Sequence, residues 1–206
     1  MTSERGLKII CVGRNYVEHA KELGNEVPSA PLIFMKPPSS VIANGEAIVI
    51  PRASSRVEYE GEMGIVIGTR VHGVAERDAA RCVRGVVALN DVTARDLQKA
   101  DGQWTRAKGF DTFCPMGAEG VAPGAFDGLA VVTRVNGVER QRATAAEMVF
   151  GIPRLIAYIS GIMTLFPGDV IATGTPSGVG PLVPGDLVEV EVPGVSRVAN
   201  PVRAEA

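Results

Sequence analysis

Apolar and polar positions along the chain change period many times, and each change marks a short element. Lys8 to Val12 is a mostly apolar run that reads as a buried strand, closed by a turn at Gly13. Beyond it, Tyr16, Ala20 and Leu23 fall at i, i+4 and i+7, the spacing of one helix face. Asn15 is placed to cap that helix and Gly24-Asn25 to stop it. His19 and Glu22 lie three apart on one face of it. Pro28, Pro31, Pro37 and Pro38 confine the next segment to loops around one strand, Leu32 to Phe34, which delivers Lys36. Ala47 to Ile50 reads as a further strand, ended by Pro51. Val57 to Ile67 reads as a single strand, on which Glu58, Glu60 and Glu62 would face the same side.

In the second half, Ala75 to Val83 predicts a helix, Val86 to Leu89 a buried strand, and Thr93 to Ala100 a helix starting just after Asn90-Asp91. Gly128 to Val135 predicts a strand running into Asn136-Gly137, a strong hairpin signal. Thr144-Ala145-Ala146-Glu147 fits a capping box ahead of an apolar helix that Pro153 interrupts or restarts. Two Pro-Gly-Asp turns, at 167–169 and 184–186, lead into the strands Val170 to Ala172 and Leu187 to Val192. Two copies of a common turn set no repeat period. No composition shift marks a linker, so the expectation is one α+β domain over residues 1–206, with short strands in the majority.

Composition narrows the function classes. A 206-residue chain buries roughly 70% of its unfolded surface, so it needs no disulfide or metal to build a core, and a metal would be functional. The 23 acidic and 21 basic residues are interspersed and leave a net charge of −2, which lacks the footprint of a nucleic-acid or membrane-surface binder. The apolar stretch from Leu155 to Phe166 is too short for the about 20 residues of a membrane span, and no secretory signal precedes the first strand. Three cysteines, Cys11, Cys82 and Cys114, form no CxxC pair and point to a reducing cytoplasm, against a disulfide framework or structural zinc. The 24 Gly and 14 Pro residues, with 5% aromatics, agree with a turn-rich, strand-dominated chain.

The candidate chemistry centres on carboxylates. Three same-face carboxylates on one strand repel one another and are costly to bury without a cation; pattern alone favours a solvated face over a metal site. Asp91, at the end of an apolar strand, either caps the following helix or joins such a site. Three oxygen ligands without Cys or His would select Mg²⁺, Mn²⁺ or Ca²⁺. Lys108, beside Gly109, reads by itself as an exposed loop lysine, and Lys36 is equally open. His19 with Glu22 is either a surface ion pair or a base oriented by its carboxylate. His72 reads as a turn residue. The loop Gly174-Thr175-Pro176-Ser177-Gly178-Val179-Gly180 has amides that could wrap a carboxylate or phosphate but lacks the P-loop ending.

Read together, Gly13-Arg14-Asn15-Tyr16 with His19, Tyr59-Glu60-Gly61-Glu62-Met63, Asn90-Asp91-Val92-Thr93-Ala94-Arg95-Asp96, Lys108-Gly109-Phe110-Asp111, and Gly168-Asp169-Val170-Ile171 with the loop through Gly180 resemble the fumarylacetoacetate hydrolase family. The likeness is to its short members, the acylpyruvases and fumarylpyruvate hydrolases, and extends over nearly the whole chain. It implies a mixed β-roll, a homodimer, and Mg²⁺ or Mn²⁺ held by Glu60, Glu62 and Asp91, with Glu58 outside the ligand set. It further implies that Lys108 contacts a bound 2-oxo acid, helped by Arg14, Lys36, Arg95, Gln98 and Thr175, and that His19 and Glu22 form a water-activating dyad on a mobile lid at about residues 14–29. The implied reaction is hydrolysis of a C–C bond in a 2,4-dioxo acid; decarboxylation or isomerisation of a 2-oxo diacid is the alternative. The substrate's far end is expected to meet the lid and the segment Lys99 to Thr105.

Overall fold

The computed structural model describes residues 7–206 except 23, 25 and 123. Its frame is two sheets. A six-stranded mixed sheet runs, edge to edge, Gly120–Val121, Val83–Asn90, Gly61–Ile67, Val170–Ala172, Ile9–Gly13 and Leu32–Lys36. Only the Ile9–Gly13 and Val170–Ala172 pair in it is parallel. The second sheet has five strands, Val138–Thr144, Ala130–Val135, Leu187–Val192, Ser196–Ala204 and Ile48–Ile50, with the last two parallel. Val57–Tyr59 joins a small sheet with Thr93–Ala94 and Gly180–Pro181, and Val41–Ile42 pairs with Cys114–Pro115. The helices are short: α1 Val17–Glu22, α2 Glu76–Ala79, α3 Arg95–Asp101, α4 Thr105–Lys108 and α5 Ile152–Ile162. This is the strand-dominated α+β architecture expected.

Side-chain alternation in the six-stranded sheet separates core from site. Ile10, Val12, Met63, Ile65 and Ile67 point into the main core, against Val131, Val190 and Val192 of the second sheet and Leu155, Ile156 and Ile159 of α5. Ile9, Cys11, Val66 and Leu89 point the other way, into a smaller cluster. Glu62, in step with Val66, is therefore on the face away from the main core. The Asn136-Gly137 turn has φ of 53° and 78° at its two central residues, as the tight hairpin requires.

Several sequence expectations are revised by tertiary contacts. The predicted Val57–Ile67 strand breaks at Glu60, because the segment before it leaves the large sheet to pair with Thr93–Ala94 and Gly180–Pro181. Thr93 and Ala94 are accordingly strand, and α3 starts only at Arg95. The expected Ala75–Val83 helix is one turn, Glu76–Ala79, followed by a 3₁₀ turn, and Val83 already belongs to the long strand, where ladder pairing outweighs helical spacing. The Thr144 to Glu147 capping box forms but closes a 3₁₀ turn; α5 begins at Ile152 with Pro153 in its first turn, so the proline starts this helix. Asn15 does not cap α1: its side chain donates to Phe150 O and Thr173 O and accepts from Phe150 N. Leu23 and Asn25, part of the expected helix end, lie outside the described residues.

Candidate active site

The end of one ladder brings the acidic residues together. Gly61 pairs with Asn90 as the last rung between Gly61–Ile67 and Val83–Asn90. One residue beyond, the Asp91 amide donates to Glu60 O at 2.8 Å, while the Asn90 side-chain oxygen accepts from Glu60 N at 3.0 Å. Glu60 and Asp91 are thereby held opposite each other, with Glu62 one rung inside. Gly61 is required at this junction, since a Cβ there would lie 1.9 Å from Thr133 Oγ1. Glu60, Glu62 and Asp91 each offer a carboxylate oxygen within 4.8 Å of the others, and all three residues are buried. The solvated face favoured by pattern alone is thus corrected, as is a capping role for Asp91: no side chain caps α3.

Buried cations balance two of these three acids. Lys108 Nζ donates to Glu60 at 2.7 Å and to Asp91 at 2.6 Å; Lys36 Nζ donates to Asp91 at 2.6 Å. Lys36 and Lys108 are only 1% and 2% exposed, so neither is the exposed loop lysine that local sequence suggests. Lys108 is placed by α4 and also lies 5.1 Å from the Phe34 ring centre. The Arg95 guanidinium bonds Glu60, Glu58 and Gln98 together. Glu58, buried and also bonded by Arg56 Nε at 2.6 Å, stands outside the acidic trio.

Glu62 is the exception. Its Oε2 accepts from the Gly174 amide at 2.8 Å, and no lysine or arginine pairs with it among the described residues. Burial first, then repulsion from Asp91 and Glu60, drive its pKa well above the usual carboxylate range. Glu60 goes the other way: burial works to raise its pKa, but Lys108 and Arg95 outweigh that and hold it below the usual range. For Lys108, burial favours the neutral form and the charges of Asp91 and Glu60 override it, so its pKa rises. A buried carboxylate without a cation, beside two others, is the electrostatic vacancy that a divalent ion fits, and an all-oxygen donor set matches a hard ion such as Mg²⁺ or Mn²⁺.

The trio lines a cavity of about 1260 Å³ that also takes in Arg14, His19, Glu22, Arg95, Gln98 and Thr175, so the structure gathers every residue that the family resemblance implies for the site. His19 is 5% exposed, and its Nδ1 lies 3.2 Å from Glu22 Oε2; a surface ion pair on an exposed helix is therefore not what forms. Glu22 in turn accepts from the Gly178 amide at 3.1 and 3.2 Å. The amides of the glycine-rich loop thus wrap the protein's own carboxylates, Glu62 at Gly174 and Glu22 at Gly178. Thr175 Oγ1 donates to Gly61 O at 2.9 Å and accepts from Gln141 at 2.8 Å.

Gln141 and Arg56 escape the sequence reading, while Asn90 and Trp104 enter it only within a motif and a segment, with no role of their own. Gln141 also binds the Gly61 amide and Pro176 O, tying the loop to the acidic strand. It sits within an unbroken polar run, Glu139 to Arg142, and gives no local signal. Trp104 packs edge-to-face on Phe34, with centroids 5.1 Å apart, and forms a cavity wall from within the predicted Lys99 to Thr105 segment. Buried Cys11 and Cys114 lie nearby; burial pushes the Cys114 thiol up to about 12 and that of Cys11 well above its ordinary value.

Comparison with known proteins gives one family. Residues 8–203 match the fumarylacetoacetate hydrolase C-terminal family model. The chain is 46% identical to a mitochondrial oxaloacetate tautomerase of Arabidopsis thaliana over 95% of its own length and 90% of the relative's. It is 44% identical to a mitochondrial oxaloacetate decarboxylase of Dictyostelium discoideum, over 93% and 91% of the two chains. Among solved structures, a 5-carboxymethyl-2-hydroxymuconate delta-isomerase from Mycobacterium smegmatis superposes with a TM-score of 0.88 at 44% identity, covering 97% of this chain and 79% of that one.

Proposed function

The chain belongs to the fumarylacetoacetate hydrolase family, and from that premise we propose that it interconverts the enol and keto forms of a short 2-oxo diacid of the oxaloacetate class at a divalent-metal site. The observation that carries this reading is the buried trio Glu60, Glu62 and Asp91, one of them without a cation, in a cavity shared with Lys108 and His19. Tautomerisation, decarboxylation and isomerisation, the activities in the relatives' names, share an enol or enolate of a 2-oxo acid.

Glu60, Glu62 and Asp91 would hold the ion. When bound, Mg²⁺ or Mn²⁺ supplies Lewis-acid stabilisation of the charge that develops on the 2-oxo oxygen. Lys108 adds a second positive centre, preorganised by its two carboxylate bonds. Lys36 holds Asp91, and Arg95, steadied by Glu58 and Gln98, holds Glu60. Thr175 fixes the wall beside Gly61. Because the Glu22 carboxylate can only accept, His19 Nδ1 is the donor, and the lone pair of the neutral ring is on Nε2. That nitrogen takes the proton from the carbon next to the 2-oxo group, the imidazolium so formed gives it to the enolate oxygen directly or through water, and the reverse sequence carries enol to keto.

A second reading, C–C hydrolysis of an acylpyruvate-type 2,4-dioxo acid, is favoured by the same dyad, with Nε2 deprotonating a water. A panel separates the two. Loss of oxaloacetate enol, CO₂ release and acylpyruvate cleavage are each followed with Mg²⁺, with Mn²⁺ and with EDTA. Metal-dependent enol loss with the highest kcat/KM supports the tautomerase; acylpyruvate cleavage with the highest kcat/KM replaces it with the hydrolase; inactivity on all three refutes both. A homodimer, testable by light scattering, is proposed on family likeness alone. No helix among the described residues is long and apolar enough to cross a membrane. A cytoplasmic or other reducing compartment is proposed from the three free cysteines.

A further inference from the structure

Six lysine and arginine side chains line the cavity, against five carboxylates. Lys36, Arg56, Arg95 and Lys108 are ion-paired to those carboxylates. Among the described residues no hydrogen bond or ion pair engages the remaining two, Arg14 and Lys99. On formal charges the wall thus carries one positive charge in excess, and three once a divalent ion is bound and Glu62 is ionised. A monoanionic 2-oxo acid would leave two of these uncompensated; a diacid leaves one.

Arg14 is the better placed of the two. It is half-buried, whereas Lys99 is exposed on α3. Its backbone is pinned on both sides. Gly13 lies so close to Trp104 that a Cβ would approach its ring to 2.8 Å, and Asn15 is locked by three hydrogen bonds to Phe150 and Thr173. Gly174, whose amide holds Glu62, packs directly on Asn15. Arg14 itself has φ of 60°, a conformation that a branchless or polar turn residue adopts more readily, so the chain bears a local strain where this residue lines the cavity. We propose that Arg14 reads the far carboxylate of a 2-oxo diacid and is the residue that sets diacid over monoacid specificity. A guanidinium suits this task because its fork pairs with a carboxylate through two parallel hydrogen bonds.

This inference rests on the proposed function, and the test separates the two. The Mg²⁺-loaded full chain is titrated with pyruvate and with two matched pairs: oxaloacetate against 2-oxobutanoate, and 2-oxoglutarate against 2-oxopentanoate. Binding is read by fluorescence of Trp104, the only tryptophan, which lines the cavity. The wild type is expected to bind at least one diacid about tenfold or more tighter than its partner. Arg14→Gln should weaken that diacid about 10- to 50-fold, the scale of a lost charged hydrogen-bond pair, and change monoacid binding less than about twofold. Arg14→Gly, which suits the positive φ and so protects the fold, should do the same, and Arg14→Lys should recover part of the loss. Diacid preference that survives in R14Q and R14G, or that disappears in Lys99→Gln instead, overturns the assignment while pyruvate binding keeps the site reading intact. Failure of the wild type to bind any of the five acids overturns both.

Discussion

The sharpest consequence of the site's electrostatics concerns Glu62, for which one substitution should move stability in opposite directions with and without metal. In the metal-free protein this buried carboxylate faces Glu60 and Asp91 with ligand oxygens inside 4.8 Å and only one amide hydrogen bond. Two unit charges at that separation repel by about 3.5 kcal/mol at an effective dielectric constant of about 20. Lys108 and the other buried cations offset most of the two repulsions, leaving a net cost on the order of 1–2 kcal/mol. Glu62→Gln removes the charge and keeps an oxygen for the Gly174 amide. In EDTA the variant should therefore be the more stable protein, with Tm higher by roughly 2–8 °C for a chain of this length. Magnesium at about 100 times its Kd should stabilise the wild type by about 2.7 kcal/mol and leave the variant unmoved at the same concentration. Thermal unfolding of both proteins, with EDTA and with a magnesium series, reads all four values. A variant that melts below the wild type in EDTA, or that magnesium stabilises equally, would refute the account of Glu62 as the carboxylate awaiting a cation.

Three further outcomes follow from other parts of the molecule. His19→Ala should lower turnover by about 10²- to 10⁴-fold while magnesium affinity, measured by calorimetry, stays within about threefold; undiminished turnover removes His19 from proton transfer. Burial acts to raise the Asp96 pKa, but hydrogen bonds from Ser54, Ser55 and the Leu97 amide outweigh it and hold it at about 2, below its ordinary 3.8. The stability this provides is present above the ordinary value and is lost as pH falls through about 2. Asp96→Asn should accordingly cost on the order of 1–2 kcal/mol in urea titrations at pH 7, the deficit narrowing as pH falls from about 4; a pH-independent deficit contradicts the assignment. Gly178 has φ of +99°, and a Cβ there would lie 2.1 Å from the Arg140 carbonyl oxygen. Gly178→Ala should then destabilise by about 2 kcal/mol or more and weaken the Glu22 contact with this loop, with a fall in kcat; a variant within 0.5 kcal/mol of wild type in the same titration, a change of the size expected at ordinary surface sites, would show that the loop adapts.

Local pattern was informative where neighbours along the chain decide the outcome. The apolar strand runs at Ile9 to Val12 and at Met63 to Ile67, the Asn136-Gly137 hairpin and the capping box at Thr144 could all be read directly, because each depends on residue type or on contacts within a few residues. The three acids and Lys108 were visible too, but only as ordered motifs resembling a family. Taken singly, Glu60, Glu62 and Lys108 favoured a surface role, and Asp91 was as readily a helix cap. What only the tertiary structure decided is the burial and pairing of those groups: the break at Glu60, the ladder end that sets Glu60 opposite Asp91, and the two lysines that neutralise two acids and leave Glu62 without a cation. Gln141, which helps hold that junction, had no local signature, and Asn90 was visible only as part of a motif. The physical reason is range. Strand and turn preferences act over two to four residues, whereas the energy of a buried charge depends on partners far along the chain, such as Lys36 for Asp91, 55 positions away, and the Gly174 amide for Glu62, 112 away, and that sum is fixed only when the sheets close.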